Sequence, residues 1–398
     1  MNHNHDRKRA LVTVGAFFIF FLFGFLDNLK GPTIPFILKD LRINYSLMGN
    51  VLGLQYGGFF VATLVAGVLV FRFGLKKVYL GLSVLLLAGI GCAAAVPSYG
   101  PLVLGFFLTG LGLGAVEVVG NSTIVLLHPE NKGKLLNLLS FFHGAGSMLV
   151  PIYAGAMLSA HYSWRLTFAL TLVPLGVFLF YLLPVQFPVY RSARTENIFS
   201  LLKSAFTPEM IWHYLAICFY VAAEIGLAAW IIEYNYKIKG QSLFYSSISL
   251  TLYFGLITGG RLLGSFIVDR LGYLRLLLLA ACGAVVCLSL GIFGPPALAF
   301  FLPATGFFFS IIFPTLTTSF ASVRQANIEK CLGFLFTFAG IGGMIGPWLI
   351  GLCGDWLQLR NSMALLILYT LIILASISVL LWKAGTRGVL KRGGQNGA

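Results

Sequence analysis

The sequence predicts an all-α integral membrane protein of twelve membrane-spanning helices, arranged as two parallel six-helix halves with both termini in the cytoplasm. Three observations carry this expectation: the composition, the number of apolar stretches and the placement of Lys and Arg. Of 398 residues, 58% are hydrophobic and only 10% charged, against about 45–50% and about 25% in soluble globular chains. So few charged side chains cannot cover a soluble protein of this size, and disorder is excluded on the same ground. The 46 Gly and 36 Phe suit helices packed closely in lipid. The 6 Cys lie in apolar runs, with no Cys-x-x-Cys and no metal-ligand spacing, so no metal site is read.

Apolar stretches run over 11–38, 47–71, 78–96, 101–127, 135–159 and 163–187, then 211–235, 243–268, 273–293, 296–320, 329–353 and 360–383. Each is long enough to cross a hydrocarbon core of about 30 Å. The first follows His5-Asp6-Arg7-Lys8-Arg9, which looks like the start of a signal peptide. The stretch is too long for that and has no small-x-small cleavage site, so it reads as an uncleaved span. The longest polar segment, 188–210, reads as a linker between halves at 1–187 and 211–398. The breaks alternate in charge. Lys39 and Arg42 follow the first span, Arg165 precedes the sixth, Lys237 and Lys239 follow the seventh and Arg360 the eleventh. The even-numbered breaks and the tails are richer: Arg7, Lys8 and Arg9; Arg72, Lys76 and Lys77; Lys132 and Lys134; Arg191, Arg194 and Lys203; Arg270 and Arg275; Arg324 and Lys330; and finally Lys383, Arg387, Lys391 and Arg392. The positive-inside rule therefore puts both termini in the cytoplasm. The net charge of +15 is topological, and no nucleic-acid partner is expected.

Shifted by about half its length, the chain resembles itself. Residues 144–155 lie over 340–351, pairing Pro151 with Pro347, and Arg72-Phe73-Gly74 lies over Arg270-Leu271-Gly272. Two parallel six-span halves follow. The loop after the second span reads Gly67-Val68-Leu69-Val70-Phe71-Arg72-Phe73-Gly74-Leu75-Lys76, and its second copy keeps Asp269-Arg270-Leu271-Gly272. Both resemble the Gly-x-x-x-Asp-Arg-x-Gly-Arg/Lys signature of the major facilitator superfamily, with Phe71 in place of the Asp in the first copy. The resemblance implies that fold, and gating or structural roles for Arg72, Gly74, Asp269 and Arg270.

Two internal segments are similar to the superfamily's fucose permease branch of proton-coupled hexose permeases. One comprises Glu117-Val118-Val119-Gly120-Asn121, His128-Pro129-Glu130 and Leu136-Asn137-Leu138; the other runs from Tyr220 through Glu224 to Trp230. Where the branch has its first-span proton-binding Asp this chain has Gly31, and Asp27 sits about one turn earlier. The branch's fifth-span Gln and Asn are Ser140 and His143.

The polar residues stand out without the family. Ionisable groups at the bilayer centre cost roughly 2.5–3.5 kcal/mol and are functional candidates by default. Counting about 1.5 Å per residue puts Glu224 near the midplane, Asp27 about 4 Å and Gln55 about 6 Å outward, Glu117 about 4–5 Å and His143 about 6 Å inward. Asp27, Glu117 and His143 are the candidate proton-coupling residues. For Asp27 the alternative is an ion pair with Lys30 that holds the helix break at Gly31-Pro32. For Glu117 the alternative is a brace against His143, and for His143 a helix contact. Asn28, Gln55, Asn121 and Glu224 are the candidate substrate ligands, with interhelical hydrogen bonding the alternative for Gln55 and Asn121. Trp230 and Trp348, about 10 Å outside their midplanes, stack on a sugar ring, close an outer gate or simply pack. Arg261, with Asp269 two turns below, is read as structural or gating.

The expected function is a secondary transporter of the plasma (inner) membrane, importing a hexose or related monosaccharide with protons by alternating access. The alternatives are a proton-driven exporter of drugs or metabolites with a wide apolar cavity, and a membrane sensor. No Gly-x-x-x-x-Gly-Lys-Ser/Thr, HExxH or GxSxG motif is present. The chain therefore reads as no enzyme and as needing no cofactor beyond a proton gradient. A monomer in the lipid bilayer is expected.

Overall fold

The computed structural model describes residues 2–95, 98–187, 208–323 and 328–393, with side chains excepted at 2–7, 132–133, 208, 262, 264–271, 321–323, 328–333 and 384–393. Among the described residues twelve helical spans are long and apolar enough to cross a membrane. In order they are span 1 (Lys8–Leu41), span 2 (Tyr45–Phe73), span 3 (Leu75–Ala95), span 4 (Tyr99–Leu127), span 5 (Lys134–Ser159) and span 6 (Trp164–Leu182). They continue with span 7 (Glu209–Lys237), span 8 (Leu243–Arg261), span 9 (Tyr273–Phe293), span 10 (Pro296–Phe320), span 11 (Phe334–Ser362) and span 12 (Leu365–Lys383). Spans 1–6 pack mainly among themselves and so do spans 7–12. The two sets meet where span 2 lies along span 11, span 5 along span 8, and span 7 along the second part of span 1.

Three boundaries differ from expectation for identifiable reasons. Span 1 is broken at Leu29, ahead of Gly31-Pro32, its helices running Asn2–Asn28 and Lys30–Leu41. Pro32 has no N–H for the carbonyl four residues earlier and its ring crowds it, so the break falls a turn before the proline. The Thr33 hydroxyl shares its proton between the Leu29 and Lys30 carbonyls at the start of the second helix. The helix of span 7 begins at Pro208, inside the expected linker, with proline at the first helical position, where no N–H is needed. Span 11 continues through Asp355 to Ser362, interrupted only at Gln358, whose φ is 65°. The rest of the expected linker, 188–207, and the side chains of Asp269 and Arg270 lie outside what the structure describes.

The repeat read in the sequence recurs as one helix crossing built twice. A Cβ placed on Gly146 of span 5 would stand 2.0 Å from the Phe21 carbonyl oxygen of span 1, and one on Gly342 of span 11 would stand 1.9 Å from the Cys218 carbonyl oxygen of span 7. Spans 4 and 10 do the same at Gly110, 1.9 Å from the Gln55 oxygen, and Gly306, 2.4 Å from the Tyr253 oxygen. The signature loops also match: Gly74 and Gly272 take φ of 81° and 79°, which an L side chain adopts only under strain. Arg72 beside Gly74 is exposed.

The crossing predicts a sharp contrast between glycines. Gly342→Ala forces a methyl into backbone and should lower stability by about 1–3 kcal/mol. Gly91→Ala in span 3, where a Cβ meets nothing within 4 Å, should be neutral or mildly stabilising. Thermal unfolding of both variants in detergent checks this, and equal midpoints would refute it.

Candidate functional site

Among the described residues, the contacts between the halves gather at one face. Every hydrogen bond and glycine contact described between them lies level with, or beyond, Phe60–Gly340 and Gly144–Thr258, towards the face opposite the termini. Span 2 records the same asymmetry. Its first half is buried over most of its surface, at Met48, Gly49, Val51, Leu52, Gly53, Gln55, Tyr56 and Gly58, with Leu54 exposed, whereas its second half is buried only along the stripe Ala62, Ala66 and Val70. At the closed face the Asp355 carboxylate of span 11 accepts the backbone N–H groups of Tyr45 (3.0 Å) and Ser46 (2.9 Å). A carboxylate from one half thus caps the positive N-terminal end of a helix in the other. Trp348 donates to Asn50 Oδ1 across the same junction (2.8 Å). Trp230 is fully buried beneath, donating to the Pro347 carbonyl (3.0 Å), with its ring edge-on to Tyr45. In this conformation both tryptophans belong to the closure.

Below the closure, the break in span 1 presents Asp27, 8% exposed. Its Oδ1 accepts from Lys30 Nζ (2.6 Å) and Gln55 Nε2 (3.3 Å), and its Oδ2 from Tyr56 Oη (2.9 Å). The Lys30 ammonium also lies 4.8 Å over the Tyr56 ring. The ion pair foreseen for the helix break is therefore present, and Tyr56 completes it. Nothing in the sequence singled Tyr56 out except that a buried tyrosine hydroxyl needs a partner. Asn28, next to Asp27, turns away from this cluster and donates to the Gly24 carbonyl and to Ser147 Oγ, tying span 1 to span 5.

Nearer the face of the termini, Glu117, Asn121, His143 and Glu224 are all partly exposed. Glu117 Oε1 accepts from Asn121 Nδ2 (2.9 Å), one turn along span 4. The brace between Glu117 and His143, the alternative reading for Glu117, is not a contact that either side chain is described as making. His143 packs edge-on against Phe23 (4.5 Å between ring centres), within electrostatic reach of Asp27 and Arg261. Arg261, exposed on span 8, also lies within electrostatic reach of Glu224 and of Tyr220. The Tyr220 hydroxyl is buried beside the Glu224 carboxylate and the Arg261 guanidinium, and the Tyr253 hydroxyl donates to the Glu224 carbonyl (3.2 Å). Sequence reasoning put Arg261 nearer the gate and missed Tyr220 and Tyr253, which sit one helical turn before Glu224 and on the facing span. Among the described residues, the ion pairs are Arg9–Glu130, Lys30–Asp27 and Arg165–Asp40. Glu117 and Glu224 therefore have no cation at salt-bridge distance.

The His128-Pro129-Glu130 segment closes the end of span 4 against span 1. Arg9 pairs with Glu130, and Thr13 Oγ1 and His128 Nε2 share a hydrogen bond (2.7 Å). Backbone hydrogen bonding at Glu130 itself, and then Arg9, hold the Glu130 carboxyl below the usual range. Burial and the nearby Arg9 push the His128 imidazole below its own.

The Asp27 cluster predicts strong coupling. Lys30→Met leaves a buried carboxylate without its cation and should cost about 3–5 kcal/mol. Lys30→Met combined with Asp27→Asn should recover most of that loss. Unfolding midpoints of the parent, both single variants and the double variant form the cycle; additive losses would mean the pair does not act as a unit.

The Major Facilitator Superfamily profile matches residues 16–328. A putative glucose/galactose transporter of Helicobacter pylori (strain J99 / ATCC 700824) is 24% identical over 373 residues, covering 86% of this chain and 89% of that protein. The D-xylose–proton symporter superposes with a TM-score of 0.76 at 18% identity, covering 93% of this chain and 96% of the other. The E. coli fucose:proton symporter superposes with a TM-score of 0.64 at 20% identity, covering 94% and 99%. With its twelve spans, its twice-built crossing and this match, the chain belongs to the Major Facilitator Superfamily and is a multi-pass inner-membrane transporter, not an enzyme.

Proposed function

We propose that this transporter imports a hexose or closely related monosaccharide together with protons, by alternating access between its two halves. One observation carries the coupling assignment. Asp27 holds Lys30 at 2.6 Å and Glu224 has Arg261 within electrostatic reach, whereas Glu117 has only the neutral amide of Asn121. Protonation of Glu117 therefore removes a charge that no cation of the site balances, and an uncharged site crosses the occluded state at lower free energy. In this reading Asp27 and His143, which lie within electrostatic reach of each other, bear on the proton cycle without touching Glu117. Glu224, Asn121 and Gln55 offer acceptors and donors to sugar hydroxyls, which must exchange water for protein hydrogen bonds. Trp230 and Trp348 meet the sugar only when the closed face opens.

The substrate class is supported by the glucose/galactose transporter relative and the xylose and fucose symporters of like fold. The polar lining favours it over export of apolar drugs, which needs a wide apolar cavity. The Lys and Arg distribution favours a cytoplasmic face for the termini, so in this reading the contacts described between the halves close the outer face.

Glu117→Gln should abolish accumulation driven by a proton gradient and leave sugar exchange between equal pools largely intact. Vesicle uptake with and without a gradient measures both, and accumulation that persists assigns the proton elsewhere. Glu224→Ala should weaken sugar binding by about 1.5–3 kcal/mol, the worth of a hydrogen bond to a charged group. Titration calorimetry reads this, and unchanged affinity would move Glu224 out of the binding site.

A further inference from the structure

The closed face buries a carboxylate that the cycle above does not use. Glu233 lies two to three turns beyond Glu224 on span 7 and is 1% exposed. Its Oε1 accepts a hydrogen bond from Tyr45 Oη at 3.1 Å, and Tyr45 opens span 2, so this bond runs from one half of the protein to the other. Its Oε2 is buried with no hydrogen-bond partner. The charged and titratable groups that face it are few. From span 2 there is Tyr45 itself. From its own helix there is Lys237, one turn on, which is exposed and not at salt-bridge distance; its Nζ lies 5.7 Å from the Tyr236 ring centre. From span 11 there is Asp355, a second acid, bound to the Tyr45 and Ser46 N–H groups. Two carboxylates thus flank Tyr45, and only Asp355 is exposed to solvent.

An ionised carboxylate in such a place has lost its water and regained a single hydrogen bond. The neutral acid loses far less on burial, because an unpaired hydroxyl costs much less than an unpaired charge. Opening the face reverses the balance: Tyr45 leaves with its half, water reaches both oxygens and the charged form is hydrated. We propose that Glu233 is a second proton site of the transporter, at the outer gate, which takes one proton from the outer solution as Tyr45 closes over it and returns it when the gate opens. One O–H bond forms on Glu233 and one proton leaves the outer water; nothing is oxidised or reduced. Glu233 does not touch the sugar, so this proton acts on the gate alone. The inference rests on the alternating-access reading above.

The test measures gate position against pH in the full-length protein, its own cysteines replaced, without sugar. Spin labels go on Lys39→Cys and Trp356→Cys, exposed sites on either half at the closed face. In the parent, the short-distance population should fall as pH rises between about 4 and 9, a range that spans the ordinary carboxylate value and a displaced one. Glu233→Gln should keep the short distance at every pH, because an amide does not ionise. Glu117→Gln is measured alongside, so that any pH response owed to the coupling site is separated from that of Glu233. A parent distance that ignores pH, or a Glu233→Gln profile that superimposes on the parent's, overturns the proposal. If Glu233→Gln does not fold, Tyr45→Phe decides. It keeps the acid and loses the bond across the halves, so the gate should still respond to pH, with closure requiring a more acidic solution. A Tyr45→Phe profile identical to the parent's overturns the proposal equally. A response lost in Glu117→Gln and kept in Glu233→Gln would give the gate proton to Glu117, sinking this inference while leaving proton-coupled transport standing. A normal gate response in a protein that accumulates no sugar would do the reverse.

Discussion

Helices in lipid gain nothing by hiding apolar side chains from one another, because the tails around them are equally apolar. What holds them together is how closely their surfaces approach, and in this protein the limit is backbone on backbone. Gly146 and Gly342 let spans 5 and 11 lie against carbonyls of spans 1 and 7, and Gly110 and Gly306 do the same for spans 4 and 10. Everything polar at the centre depends on these crossings. Gly24 on span 1 packs against the His143 carbonyl of span 5, and Ser147, one turn from His143, receives Asn28. Widen the crossing and both the His143 ring and the turn carrying Asp27 move.

The second constraint is that charge inside the membrane must be answered locally. Asp27 is answered three times over, by Lys30, Gln55 and Tyr56. Asp355 is answered by two backbone N–H groups at a helix start, which carry positive partial charge without a cation. Glu117 and Glu233 have one neutral donor each. The acids thus divide into those whose partners hold them and those whose partners leave room for a proton.

The count and order of the spans were legible because length and apolarity suffice to recognise them, and the repeat was legible because it preserves the glycines at one crossing. The Asp27–Lys30 pair was legible because it is local, i to i+3. The relation of Glu117 to His143 was not. Counting along a helix gives height, about 1.5 Å per residue, yet each residue also turns the side chain through about 100°. Two residues at one level can therefore face different neighbours, and these do: Glu117 faces Asn121 on its own helix, while His143 faces Phe23 on span 1. Asp355 was overlooked for the opposite reason. Cutting the sequence at charges ended the eleventh span before it, although its charge is what the helix is extended to deliver. Tyr45, Tyr56 and Tyr220 escaped notice because an aromatic ring in an apolar run reads as packing until its hydroxyl's surroundings are known.

The loops at Gly74 and Gly272 bear on how the protein moves. Span 2 ends at Phe73 and span 3 begins at Leu75; the helix of span 8 ends at Leu271 and span 9 begins at Tyr273. A single residue in a left-handed conformation joins each pair, and such a joint has no slack. Neither helix can slide along its partner without unwinding a turn, so each pair behaves as a stiff hairpin. A half containing such a hairpin resists internal shear, and the motion left to it is to tilt as a block or to bend along the helices themselves. Span 2, buried over most of its surface at one end and along a single stripe at the other, is the hairpin arm best placed to transmit that tilt.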